Sequence, residues 1–81
     1  MMKHIFHIVA QNQPAALERL LRVTRHRGFT VTAMTVQTLS PSDHLEISLT
    51  VDGERPAHIL LYQLTKLAEI TAVNIPEMVP K

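Results

Sequence analysis

His44-Leu45-Glu46-Ile47-Ser48-Leu49-Thr50-Val51 alternates without exception: Leu45, Ile47, Leu49 and Val51 against His44, Glu46, Ser48 and Thr50. A period of two sends the aliphatic set to one face of an extended chain and the polar set to the other. The segment is therefore a strand in a sheet covered on one side only. Something amphipathic has to cover that side. Just before it, Ser40-Pro41-Ser42-Asp43 is rich in turn residues. Residues 29–39 are dense in Thr and Val, which fits a second strand. Simple alternation puts Phe29, Val31 and Ala33 on one side and Thr30 and Thr32 on the other. The two strands are expected to form a hairpin.

The covering elements lie on either side of the hairpin. Leu17, Leu20, Leu21 and Thr24 fall at i, i+3, i+4 and i+7 within residues 15–27, which is one face of a helix. Pro14 suits the first helical position, with Asn12 or Gln13 as the cap region. Gly28 suits the left-handed residue that closes the helix. In residues 57–69, Ala57, Leu60, Leu61, Leu64, Leu67 and Ala68 form a second stripe after the break Asp52-Gly53-Glu54-Arg55-Pro56. Residues 4–10 are apolar on both faces, as in a central strand. Ile70 to Ile75 reads as a last strand stopped by Pro76, and 77–81 as a fraying tail. The order βαββαβ predicts an α+β, ferredoxin-like domain over 1–76: a four-stranded antiparallel sheet with two helices on one face.

Composition narrows the function. A chain of 81 residues buries only about 60% of its unfolded surface, and such domains usually need a staple. There is no cysteine, so disulfides and thiolate metal sites are excluded, and a partner chain is the expected staple. Eight Lys+Arg against seven Asp+Glu leave a net charge of +1, with no global drive toward polyanions. No apolar run approaches the length of a spanning helix or a signal peptide, so a cytoplasmic location is expected.

The chemistry-bearing residues are dispersed. Of the five histidines, His4 and His7 face opposite sides of one strand, and His26, His44 and His58 lie on three other segments. No metal site is expected. Ser40, Ser42, Asp43 and His44 are contiguous in a turn, whereas a triad meets from separate elements. Two glycines cannot build a phosphate-cradling loop. No catalytic residue is assigned. Arg19, Arg22, Arg25, His26 and Arg27 cluster on the first helix, a solvated face or a patch for an acidic protein. Arg22, with Ile59 and Tyr62 on the outer face of the second helix near Lys66, are the partner-contact candidates. Strand 29–39 is an edge with neither charge nor proline, and it invites pairing with a second copy.

Three stretches carry a family resemblance. Asn12-Gln13-Pro14-Ala15-Ala16-Leu17-Glu18-Arg19-Leu20 resembles the N-x-P-G-x-L-x-R-V start of ACT domains, and Arg27-Gly28-Phe29-Thr30-Val31-Thr32-Ala33-Met34 resembles their R-G-[FY]-N-I-x-S-L segment. Gln63-Leu64-Thr65-Lys66-Leu67-Ala68-Glu69-Ile70-Thr71-Ala72-Val73 resembles the Q-L-x-K-L-x-[DE]-V-x-x-V ending of acetolactate (acetohydroxyacid) synthase small subunits. The longer small subunits have a further C-terminal domain with no counterpart in these 81 residues, so the likeness is to the short, isozyme II type.

The resemblance implies a non-catalytic regulatory subunit in branched-chain amino-acid biosynthesis. It would activate a large catalytic subunit that carries thiamine diphosphate, magnesium and FAD, with no cofactor in this chain. ACT domains pair side by side, and many hold an amino acid at the pair interface. That places candidate effector contacts at Asn12, Gln13, Pro14, Ala15 and Thr30. Two of these depart from the family pattern. Ala15 replaces a glycine whose openness lets a carboxylate approach backbone amides. Thr30 replaces an asparagine that can donate and accept at once. Weak or absent response to valine is expected. The alternative is a stand-alone, homodimeric ACT sensor of amino acids. An acylphosphatase-like enzyme on the same fold would need Gly and Arg in the loop Ala10–Ala15, which has neither.

Overall fold

The computed structural model describes residues 2–39, 43–74 and 77–79. Its order is β1 (Met2–Gln11), α1 (Ala16–His26), β2 (Thr30–Leu39), β3 (His44–Gly53), α2 (Ala57–Thr65), β4 (Ile70–Val73) and β5 (Glu77–Val79). The strands form one antiparallel sheet in the order β2-β3-β1-β4, with β5 also on β1. This is the expected four-stranded arrangement with one strand added. Residues 40–42 of the expected turn, Ile75 and Pro76 at the end of the expected last strand, and residues 80–81 of the expected tail lie outside the described residues.

The alternation in β3 decides the core. Leu45, Ile47, Leu49 and Val51 are all buried. Across the register they face Ala10, Ile8, Phe6 and His4 of β1, so one face of both strands is lined by aliphatic and aromatic groups. Leu20 of α1 and Leu60 and Leu64 of α2 close over that face in the same cluster, each with no exposed surface. Each such side chain stabilises the fold by about 1.5–3 kcal/mol relative to exposure. Thr24 is buried with them, its hydroxyl satisfied by donating to Leu20 O at 2.8 Å.

β2 departs from simple alternation. Val31 pairs with Val51, but the next partner, Thr50, is met by Ala33. Thr32 is the extra residue of a bulge, and its hydroxyl donates to Thr50 O at 3.3 Å. One inserted residue reverses the facing of everything after it. Ala33 therefore turns away from Phe29 and Val31 and is exposed, while Met34 and Val36 take the core side opposite Leu49 and Ile47.

Three boundaries also move. α1 starts at Ala16, after Pro14, and its cap residue is Ala15, with no side-chain cap from Asn12 or Gln13. Ala16 N donates back to Gln13 O at 3.1 Å, so the chain makes a tight turn there before the helix. α2 ends at Thr65, because Thr65 Oγ1 donates to Tyr62 O at 2.7 Å and the next amides bond three residues back. Ala68, expected on the apolar stripe, is exposed. Residues 77–79, expected to fray, pair with Lys3–Ile5 of β1. β4 covers only Ile8–Ala10 of that edge, so β5 supplies partners to backbone groups that would otherwise be left open. Among the described residues, no helix is long and apolar enough to cross a membrane.

Two glycines are fixed by geometry. Gly28 has φ +89° and closes α1, and Gly53 lies under the buried ring of Phe29, where an added Cβ would sit 2.8 Å from Cδ2. Gly53→Ala should lower stability by about 1–3 kcal/mol through overpacking. Gly28→Ala should cost about 1 kcal/mol, since its nearest neighbour is the movable Arg55 side chain at 3.3 Å. Urea titrations at one protein concentration check both values and their order.

Candidate functional site

The link between β1 and α1 is held from two sides. Gln11 N donates to Glu69 O at 2.8 Å and Asn12 N donates to Asp43 O at 3.2 Å. Gln13 folds back, its Nε2 donating to Gln11 Oε1 at 2.7 Å. Asn12, Gln13 and Pro14 are exposed, and Ala15 is half-buried at the helix start. No side chain caps α1, so the positive end of its dipole faces this loop, where Ala16 N already donates to Gln13 O. Glu18 in the first turn partly answers that charge.

Thr30, the remaining effector candidate, is exposed at the start of β2. It pairs with Asp52, which pairs in turn with Lys3 at the start of β1. The Asn12–Ala15 loop follows Gln11, at the other end of β1. Eight strand steps separate the two groups, roughly 26 Å at about 3.3 Å per step. A single copy of the chain therefore brings Asn12, Gln13, Pro14 and Ala15 together but leaves Thr30 at the opposite end of the sheet.

The two sheet edges differ. β2 runs ten residues without charge or proline and pairs only with β3 among the described residues. Val36, on its core side, is 37% exposed. The opposite edge is split into β4 and β5, with Pro76 between them in the sequence. Short, interrupted, proline-bearing edges resist pairing, and long plain ones invite it.

The three partner-contact candidates are not equivalent. Arg22 is exposed and Ile59 is half-buried. Tyr62 is 60% exposed, with Lys66 Nζ 4.2 Å from its ring centroid. Ile59 and Tyr62 thus form one exposed ring beside a partly covered chain, not an open apolar pair. His4 is buried and His7 exposed, on opposite faces of β1 as their spacing requires. Among the described residues, no three His, Asp or Glu side chains gather to hold a metal.

Glu69 has a role that sequence reasoning did not assign. It is only 8% exposed. Its carbonyl holds Gln11, and its Oε2 lies 3.5 Å from Arg19 Nε, so one residue clamps the loop from both ends. Its Oε1 is buried without a hydrogen-bond partner. Its position on a turn after α2 offers no periodic signal for this; only the packing of that turn against α1 creates the clamp. Arg19→Ala should cost on the order of 1 kcal/mol, because Arg19 itself is exposed and screened. The cost should shrink in a Glu69→Gln background, which a double-mutant cycle by chemical denaturation measures.

Comparison with known proteins gives a consistent picture. The ACT domain family model matches residues 12–73. The small subunit of acetolactate synthase isozyme 2 from Escherichia coli is 41% identical over 75 residues, covering 93% of this chain and 86% of that protein. A probable acetolactate synthase small subunit from Archaeoglobus fulgidus is 31% identical, and the chain spans 46% of its length. In structure, the acetolactate synthase small subunit from Thermotoga maritima superposes with a TM-score of 0.81 at 21% identity. The chain covers 47% of that longer subunit.

Proposed function

The chain belongs to the ACT-domain family of acetolactate synthase small subunits, and from that membership we propose that it activates a large catalytic subunit of that enzyme in the cytoplasm. The observation that carries this is the near end-to-end match, in both directions, to a short small subunit. In this reading the chain performs no chemistry. Thiamine diphosphate, magnesium and FAD reside on the catalytic subunit. Docking of the small subunit favours the active arrangement of its partner, which is allostery in the strict sense of a coupling free energy.

We further propose that two copies pair through β2. Antiparallel pairing of two β2 edges joins the sheets and covers the apolar rim at Val36. A two-fold axis there sets Thr30 of one copy against the Leu39 end of the other. The partner's Asn12–Ala15 loop lies at that same end, tied to Asp43 in the connection that follows β2. The two groups that one chain keeps apart are then neighbours across the seam, forming a composite amino-acid pocket. Ala15 and Thr30 weaken that pocket, one by bulk and one by a lost hydrogen-bonding group.

Titrating the chain into a purified large subunit and following acetolactate formation tests the central reading. A rise of about tenfold, the usual scale of allosteric coupling, is expected; no change with any such enzyme refutes it. Val36→Lys should turn the dimer into monomer by sedimentation, since it puts a charge on the exposed apolar rim that pairing covers. Calorimetry should show valine binding no tighter than millimolar to the native chain, and tighter binding to Ala15→Gly/Thr30→Asn. The uncapped start of α1 also suits a stand-alone amino-acid sensor. Stabilisation by free amino acids in a thermal-shift panel, together with no effect on the synthase, would favour that reading.

A further inference from the structure

α1 and its cap carry Arg19, Arg22, Arg25, His26 and Arg27, and no lysine. All five side chains are exposed. Arg19 is engaged with Glu69. Among the described residues, Arg22, Arg25 and Arg27 have no ion pair. Arg22 and His26 border two shallow depressions, one lined also by Glu18, Leu21 and Arg25, the other by Val23, Arg27 and, from α2, Gln63. Gln63 adjoins the exposed Tyr62 in sequence.

Two ordinary explanations fall short. The helix dipole accounts for Arg25, His26 and Arg27 near the C-terminal end, at about 0.3–1 kcal/mol each. It does not account for Arg22 in the middle of the helix. A merely solvated face is served equally well by lysine, yet every fixed cation here is arginine. Arginine is weakly hydrated, forks onto carboxylates and is enriched at protein interfaces, where lysine is depleted.

The occupant can be narrowed. A second copy offers no complementary surface, because Glu18, Asp43, Glu46, Asp52 and Glu54 are scattered over a helix, two turns and a strand. Nucleic acid is disfavoured because Phe6 and Phe29 are buried and Lys66 already sits over the Tyr62 ring. We propose that the outer face of α1, centred on Arg22, Arg25 and His26, docks on an acidic surface of the large catalytic subunit. The proposal rests on the regulatory reading and adds to it the chemistry of the contact.

The test is a titration of the small subunit into the large subunit, followed by enzyme activity, at about 50 and about 500 mM NaCl, where screening differs strongly. For the native chain, the half-saturating concentration should rise severalfold at high salt. For Arg22→Glu/Arg25→Glu it should already be roughly tenfold higher at low salt and depend little on salt, with the activation at saturation kept. Arg22→Lys/Arg25→Lys should lie between the two, and it serves as the readout if the glutamate variant's melting curve shows that it does not fold. A salt-independent native titration matched by an unshifted glutamate variant overturns this surface and leaves the regulatory reading standing. Failure of the native chain to activate at all overturns both. Binding of a fluorescent RNA oligonucleotide that the glutamate variant loses, with activation intact, overturns the proposal by assigning the arginines to nucleic acid.

Discussion

The ladder between β1 and β3 is the constraint from which the rest follows. Ten residue pairs run from Met2 opposite Gly53 to Gln11 opposite His44 without a shift in register. A one-residue slip would carry Leu45, Ile47, Leu49 and Val51 to the wet side, so burial of those four holds the ladder in place. The ladder in turn spaces the two ends of the sheet. The start of β2, with Thr30 and Gly53, lies at one end and the loop leading into α1 at the other. The distance between the two groups of effector candidates is thus a property of the core.

Edges are where so small a domain is incomplete. β1 is central and has partners on both sides, but only because β4 and β5 share its outer edge between them. β2 has no such cover among the described residues. Its bulge at Thr32 gives the strand a local twist while leaving the rest of the edge regular. The rim at Met34 and Val36 sits on the core side of this edge, so pairing would also add buried apolar area, the resource that a chain of 81 residues lacks most.

α1 serves three purposes with one surface pattern. Leu20 and Thr24 face the core, Arg19 braces the turn that holds the loop, and Arg22 and Arg25 face outward. The helical period sets Arg22 and Arg25 away from Leu20 and Thr24, with Arg19 on the flank next to Arg22. Changes to the outer arginines should therefore leave the core intact, which makes the surface open to experiment without loss of the fold.

Much of this was legible in the residues alone. Alternation in 44–51 and the i, i+3, i+4 spacing of Leu17, Leu20 and Leu21 determined the element types and which sides are buried, because those signals arise within one element. Gly28 marked the end of the first helix for the same local reason. The candidate effector residues were named by likeness to a family, and no local pattern showed how far apart they stand. The bulge that turns Ala33 outward, the ordering of 77–79, and the clamp at Glu69 were decided only by tertiary structure. Each depends on a partner distant in the chain: Thr50 for the bulge, Lys3–Ile5 for the last strand, Gln11 and Arg19 for the clamp. A linear pattern records what a residue does to its neighbours along the chain, and hydrogen bonds to remote backbone leave no period in it.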